Sequence, residues 1–352
     1  MRADADATTR EYYQALVDKN EAYEGTFIAA VKTTGIFCRP TCTARKPKPE
    51  NVEFFAGTKD ALLHGYRACK VCNPLEKRGE TPAYIQNLLR ALHADPSTKL
   101  TDGQLRANGV EPATLRRWFL KNHGLTFHTY QRLVRLNAAF KRIQRGDSVT
   151  ATAFEAGYES LSGFQDSFKA VFGVAPSNSR QQQVIDLMRL ETPLGPMLAG
   201  GVAQGICLLE FTDRRMLATE LQDLAQRVNA ALVPGTNPHF AGLEQQLNEY
   251  FRGERCTFSV PLVTPGTVFQ QAVWQALRAI PYGVTRSYQQ QAAALQRPGA
   301  QRAVATANGL NRIAILIPCH RVVGADGGVA GYGGGVWRKK WLLDWEAQHV
   351  TA

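Results

Sequence analysis

The sequence predicts a multidomain α+β protein in three parts, and three observations carry that prediction. Four cysteines, Cys38, Cys42, Cys69 and Cys72, lie close together near the N-terminus amid short helix and strand signals. The middle third runs twice through one pattern: an apolar helix, a glycine bend and a second helix. Further on, the apolar run Ile313-Ala314-Ile315-Leu316-Ile317 leads into Pro318-Cys319-His320-Arg321-Val322. The expected architecture is a small cysteine-bearing α/β domain, an all-α double helix-turn-helix module, and a last domain that is α/β first and helical afterwards. At 352 residues the chain is long enough for several cores.

Taken in order, residues 1–10 read as a loose polar leader. Tyr12, Tyr13, Leu16 and Val17 predict a helix, and residues 26–33 are compatible with a strand. Lys77-Arg78-Gly79-Glu80-Thr81-Pro82 reads as a boundary, with Pro82 placed to open the next helix. Domains are therefore expected over 1–80 and 81–180. In the first helix-turn-helix unit Leu105, Val110, Leu115 and Phe119 form the apolar set around Gly109. In the second, Phe154, Tyr158, Phe164 and Phe168 do so around Gly157. An amphipathic helix over 130–144 joins the units, and recognition helices are expected over 112–121 and 160–171. Residues 181–190 sit in a polar stretch rich in Ser and Gln and predict a flexible linker. The last domain is then α/β over 191–265 and helical over 266–352, with Pro318 ending a strand that starts near Ile313.

The formal charge of +11 is uneven: net +2 over residues 1–80, +6 over 81–180 and +3 over the remainder. The basic middle points to a polyanion such as double-stranded DNA. No signal-peptide pattern opens the chain and no apolar run approaches a membrane span, so no membrane partner and a cytoplasmic location are expected. Thiols stay reduced there, which makes disulfides a poor account of the cysteines. Cys-x3-Cys, 26 intervening residues and Cys-x2-Cys instead supply four sulfurs for a tetrahedral zinc ion. Cys319 beside His320 is a candidate nucleophile, because a thiolate attacks and a neighbouring base generates it. Alone, that pair equally describes a small core cysteine. Cys207 and Cys256 have no base beside them and read as structural.

From about Phe269 to Glu346 the chain resembles the catalytic domain of O6-alkylguanine-DNA alkyltransferases. Asn311, Pro318-Cys319-His320-Arg321-Val322, Gly331-Tyr332 and Lys340-Trp341-Leu342-Leu343 through Glu346 fall in that family's order and spacing, and Tyr288 and Arg302 match upstream. The run Thr33-Thr34-Gly35-Ile36-Phe37-Cys38-Arg39-Pro40 resembles the zinc-bearing phosphotriester-repair motif of the Ada family, and residues 82–180 resemble AraC-type DNA-binding modules. This three-part order is that of the Ada family of methyl-damage sensors and covers nearly the whole chain.

The resemblance implies two single-use methyl acceptors: Cys319 for O6-methylguanine and Cys38 for methyl phosphotriesters. Cys38, Cys42, Cys69 and Cys72 would hold one zinc, with no methyl-donor cofactor. His320 would act as base through a water, held in its tautomer by Glu346, and Tyr288 would give a proton to guanine N3. Asn311 would organise the turn before the cysteine, while Gly331 and Tyr332 border the pocket. Arg302 would fill the space of the flipped nucleotide, from a helix whose Ala303, Ala305 and Ala307 allow close approach to the minor groove. Thr34, Arg45 and Arg67 would contact DNA in the first domain. Arg116 and Arg117, with Thr114, would do so on the first recognition helix, and Ser162, Gln165 and Lys169 on the second. Thr43 stands where a relative carries a basic residue, and Gly333 where relatives often carry a side chain. The implied partners are alkylated DNA, operator DNA and RNA polymerase.

Charge accounts for a switch. Four thiolates on zinc carry −2, and methylating one leaves −1. Removing a charge about 6 Å from a phosphate, at a dielectric of ~20, is worth roughly 2–3 kcal/mol. The alternative is a zinc-dependent AraC-type regulator whose last domain no longer repairs.

Overall fold

The computed structural model describes every residue except 1, 21–22, 73, 76–80, 330 and 351–352, and residues 2–6 through their backbone alone. The expected boundary at 77–80 lies outside the described residues. Residues 2–10 are not a loose leader but part of α1 (Arg2–Val17). Alanines and early acidic residues favour a helix there. A four-stranded sheet comes next, from β1 (Ile28–Val31), β2 (Ile36–Cys38) and β3 (Val52–Phe55), then, after α2 (Thr58–Leu63), β4 (Arg67–Ala68). Its order is β3-β1-β2-β4, with only β2 and β4 parallel. Two small cores form, one with Leu16, Phe27, Ala29 and Val52, the other with Ala30, Phe37 and Ala61.

The middle module contains α3 (Ala83–Ala94), α4 (Asp102–Ala107), α5 (Pro112–His123), α6 (Phe127–Gln144), α7 (Val149–Glu155) and α8 (Leu161–Phe172). Both recognition helices form as expected. Each comes after a glycine bend, at Gly109 and Gly157, and ends on a left-handed glycine, Gly124 and Gly173. The helix α6 serves two cores. Phe127, Tyr130 and Val134 pack with Leu105, Leu115 and Phe119, and Leu136, Phe140 and Ile143 with Phe164, Phe168 and Phe172. Phe154 departs from expectation. It is 54% exposed, and Ala153 and Ala156 turn to the core in its place.

The expected linker is the largest correction. After a 3₁₀ turn (Pro176–Gln181), residues 183–190 form the inner strand β5 (Gln183–Leu190). The α/β part therefore starts near 183, not 191. It continues with β6 (Met197–Val202), β7 (Gly205–Phe211), α9 (Leu217–Val228), β8 (Ala230–Pro234) and α10 (Pro238–Phe251). The sheet order is β7-β6-β5-β8, antiparallel except for β5 with β8. The glutamines mask the strand they lead into, whose Val184, Ile185, Leu187 and Leu190 suit pairing on both sides.

The same strand and its parallel neighbour β8 bind the helical module. Val184, Ala231 and Val233 join the core of the second helix-turn-helix unit. Buried Asp186 accepts from Asn137 at 2.7 Å, Lys141 at 2.6 Å and Asn237 at 3.1 Å. A Cβ on Gly235 would stand 2.1 Å from Asn137 Nδ2 and 2.9 Å from Asp186 Oδ1. Gly235→Ala is therefore expected to destabilise the chain by about 1–3 kcal/mol through overpacking. Chemical denaturation checks this, and an unchanged midpoint would mean that the node yields.

The remainder comprises α11 (Val268–Arg278), β9 (Arg286–Ser287), α12 (Tyr288–Ala294), α13 (Gln301–Gly309), β10 (Val322–Val323) and α14 (Val336–Gln348). Trp274 donates to the Ala307 carbonyl at 2.8 Å, tying α11 to α13. Gln291 and Asn308 exchange amide bonds that tie α12 to α13. Residues 313–317 do not form the expected strand. Only Ile313 bridges to Leu209, and Ile315 takes φ +72° within a buried turn. A short apolar run does not distinguish the two by periodicity. The chain divides into two compact units, Met1–Glu80 with Gly283–Tyr288 and His320–Ala352, and Thr81–Tyr282 with Gln289–Cys319.

Candidate metal centre and candidate active site

The parallel pairing of β2 with β4 sets up the sulfur cluster, because the Cys69 amide donates to the Phe37 carbonyl beside Cys38. A tight turn from Arg39 brings in Cys42, and the chain after Cys69 returns Cys72. The four Sγ atoms lie within 4.8 Å of one another, those of Cys42 and Cys69 at 4.0 Å. Zinc–sulfur bonds of about 2.3 Å in a tetrahedron put sulfurs about 3.8 Å apart, so the set fits zinc with small adjustments. Without a cation the sulfurs conflict. The bond to Cys72 and burial push the Cys38 thiol up, while its bond from Cys38 draws Cys72 down to about 5. A divalent cation removes that conflict.

The sulfurs are not equivalent. Backbone amides of Ala44, Val71 and Arg39 donate to Cys42 at 3.5 Å, Cys69 at 3.4 Å and Cys72 at 3.4 Å. Among the described residues no backbone amide donates to Cys38. Arg39, not singled out in the sequence, holds the loop: its Nε donates to the Cys72 carbonyl and its Nη1 lies 3.5 Å from the buried carboxylate of Glu24. Arg39 adjoins Cys38 in the motif, but nothing in the sequence marks Glu24. Thr34 and Arg67 are exposed on the β1–β2 turn and on β4, next to each other through the bond from the Arg67 amide to the Gly35 carbonyl at 2.7 Å. Arg45 is exposed beyond Cys42.

Asn311 and Cys319 lie in the second unit. Buried Asn311 donates through Nδ2 to the Ile317 carbonyl at 2.8 Å and to Cys319 Sγ at 3.2 Å, and its Oδ1 accepts from the Ile313 amide at 3.0 Å. One amide thus closes the turn and holds the sulfur. The left-handed conformation of β-branched Ile315 is strained, and this turn sustains it. Edge strand β7 clamps the same segment, with Leu209 bonded to Arg312 and Ala314. Arg214 donates to the Gly309 carbonyl at 2.8 Å.

The peptide bond from Cys319 leads into the His320 cluster of the first unit. Glu346, fully buried on α14, accepts from His320 Nε2 at 2.8 Å, from Arg321 Nε at 2.8 Å and Nη2 at 3.0 Å, and from the Gly283 amide at 3.1 Å. Burial pushes the His320 imidazole down, towards its neutral form. Burial also opposes the Glu346 charge, but the bonds from His320 and Arg321 hold its carboxyl well below the usual carboxylate range. His320 Nδ1 is buried and has no partner among the described residues. Tyr288 opens α12, and the ammonium of fully buried Lys339 lies 5.9 Å from its ring centre. Gly331 takes φ +60°, and a Cβ there would be 4.0 Å from the Tyr288 hydroxyl. The loop after half-buried Tyr332 is tied down, since Gly335 donates to Tyr332 at 3.0 Å and Arg338 to Gly334 at 2.7 Å. Sequence reasoning gave Arg321 and Lys339 no role. Helical spacing could have found Lys339, which shares the buried face of α14 with Leu342 and Glu346.

Arg302 is exposed on α13 beside Ala303, Thr306 and Gly309. Ala307 instead faces the core, so the expected small-residue face is shifted. On α5, Thr114, Arg116 and Arg117 are exposed, with Arg116 paired to Asp102 and Arg117 bonded to Thr114. Ser162, Gln165 and Lys169 are exposed on α8. Cys207 is buried, and burial pushes its thiol up to about 12. No helix among the described residues is long and apolar enough to cross a membrane.

Comparison with known families adds to this geometry. Residues 11–75 match the family model for the metal binding domain of Ada, and residues 105–182 a helix-turn-helix domain. Residues 188–264 match the ribonuclease-like domain of 6-O-methylguanine DNA methyltransferase, and residues 268–348 its DNA binding domain. The chain is 35% identical over 351 residues to the bifunctional transcriptional activator/DNA repair enzyme Ada of Escherichia coli, covering 97% of each. It is 34% identical over 335 residues to the regulatory protein ada of Salmonella typhimurium, covering 94% of each. Over 48% of its length it is 45% identical to a methylated-DNA–protein-cysteine methyltransferase of Mycobacterium tuberculosis, of which it covers 96%.

Proposed function

The chain belongs to the Ada family of bifunctional transcriptional activators and DNA repair enzymes, and from that premise we propose that it takes one methyl onto Cys319 from O6-methylguanine and one onto Cys38 from methyl phosphotriesters. The observation that carries the first role is the buried polar chain from Glu346 to His320, adjoining Cys319. His320 Nε2–H donates to Glu346, which leaves Nδ1 as the lone pair that takes the Cys319 proton through a water. The thiolate attacks the methyl carbon, a C–S bond forms and the C–O6 bond breaks. Its electron pair goes to the guanine, and N3 accepts a proton from Tyr288. Positive charge from Lys339 beside that ring suits a proton donor. Asn311 holds the sulfur, Gly331 and Tyr332 border the pocket, and Arg302 supports the flipped base.

For the second role, zinc when bound keeps the sulfurs as thiolates at neutral pH. Among the described residues, amide donors withdraw charge from Cys42, Cys69 and Cys72 but not from Cys38, which supports Cys38 as the most nucleophilic of the four. Thr34, Arg45 and Arg67 contact the DNA backbone or base edges there. Residues 1–80 form the phosphotriester domain, 81–182 the operator-binding module with Arg116 and Arg117 at the DNA, and 183–352 the alkyltransferase domain. Methylated Cys38 raises operator affinity by about 30- to 150-fold through the charge lost, and the bound protein engages RNA polymerase.

Peptide mass spectrometry after incubation with DNA carrying both lesions tests the assignment. One methyl on each of the Cys38 and Cys319 peptides is expected. Label on Cys319 alone would make the metal centre structural, and label on neither, in folded zinc-loaded protein, would leave a regulator without repair.

A further inference from the structure

The helix α6 joins the two helix-turn-helix units, and three of its polar side chains, spaced about one turn apart, are fastened outside them. Asn137 donates to Asp186 at 2.7 Å and to the Pro234 carbonyl at 3.2 Å. Lys141 donates to Asp186 at 2.6 Å and to the Thr236 carbonyl at 2.5 Å. Gln144 donates to the carbonyls of Ser179 at 3.2 Å and Gln182 at 2.8 Å. Residues at this spacing share one helix face, so α6 turns that face to β5, β8 and the chain beside them. Strand β5 also reaches the first unit. The Arg189 side chain, only 4% exposed, lies over the ring of Trp118 on α5 at 5.5 Å from its centre. Its Nε donates to Thr81 at 2.7 Å, two residues before α3 opens. Val184, packed in the core of the second unit, and Arg189, against the first, are about 17 Å apart along an extended strand. Buried charges add little stability over well-packed apolar residues, and their best-attested use is to fix register.

We propose that β5 acts as a ruler for operator recognition, with Asp186 and Arg189 as positioning residues that set the separation of the recognition helices α5 and α8. Asp186 holds α6 and, through it, the second unit, and Arg189 holds α5 of the first. Two recognition helices at a fixed separation accept only operator boxes at the matching separation along the duplex. The sheet that opens the alkyltransferase domain thus takes part in reading DNA, a role apart from methyl transfer. This role rests on the operator-binding reading of the helical module and stands whether or not Cys319 accepts a methyl.

A random duplex pool, selected on the full zinc-loaded chain after incubation with methyl-phosphotriester DNA, supplies the operator probe. Copies of the selected duplex with one or two base pairs inserted between the two contacted boxes make a spacing series. Insertion is expected to weaken binding by the wild type about tenfold or more. Asp186→Asn and Arg189→Met should bind the selected duplex about tenfold more weakly, yet bind the inserted duplexes as the wild type does. Spacing discrimination is then largely lost. Equal weakening on every duplex would reduce both residues to fold stability, and discrimination unchanged in the folded variants would overturn the proposal. Circular dichroism and the thermal midpoint check the fold. Should Asp186→Asn fail that check, Lys141→Met loosens the same tie from the helix side. A wild-type chain that selects no duplex would remove the operator-binding reading itself, and the ruler with it.

Discussion

Stripping zinc from the intact chain is expected to unfold the N-terminal domain and abolish methyl transfer from phosphotriesters, with transfer from O6-methylguanine retained. The domain's two cores are small, built around Leu16 and Phe27 on one side and Ala30 and Phe37 on the other. Domains of this size gain too little from burial to tolerate losing a staple. Structural zinc sites supply about 10–16 kcal/mol of apparent binding energy at neutral pH, and that energy is folding energy. The four sulfurs, within 4.8 Å of one another, would also have to share protons once the cation left. Amide NMR spectra and separate assays of the two lesions give the answer. Phosphotriester transfer persisting at full rate in metal-free protein would refute the zinc-dependent role of Cys38.

The sequence was legible where spacing itself encodes geometry. Cys-x3-Cys with Cys-x2-Cys gathers at one point because β2 and β4 pair beside them, and the two glycine bends give the two recognition helices. It was illegible where the deciding interaction is distant. Residues 181–190 look like linker because they open on three glutamines, yet 183–190 are clamped between β6 and β8 and tied to α6 by Asp186. Residues 313–317 look like a strand until the Asn311 side chain is seen closing the turn on the backbone of Ile313 and Ile317. Phe154 looks like core because it is aromatic, but the helix turns its small neighbours inward. Glu24 went unmarked, and Arg321 was quoted in its motif without a role, because an ion pair leaves no periodic mark on either partner.

Glu346→Gln is expected to slow transfer from O6-methylguanine by about 10²–10⁴, roughly 3–5 kcal/mol in the barrier. The carboxylate accepts hydrogen bonds from His320, twice from Arg321 and from Gly283. A glutamine has one acceptor oxygen, and its amide would face a donor. Buried Arg321 would also lose its counter-charge. Without the carboxylate the imidazolium formed on proton transfer is no longer stabilised, and the tautomer with Nδ1 free is no longer favoured. The pH profile separates this from general damage. In the wild type the rate falls as acid protonates His320, whose affinity for the proton is lowered by burial and partly restored by Glu346. Removing the negative charge lowers that affinity further. The acid limb of the variant should therefore move to lower pH while the plateau drops, with DNA binding unchanged and Glu346→Asp recovering part of the rate. A plateau at the wild-type level, with the acid limb unmoved, would reduce Glu346 to a packing residue.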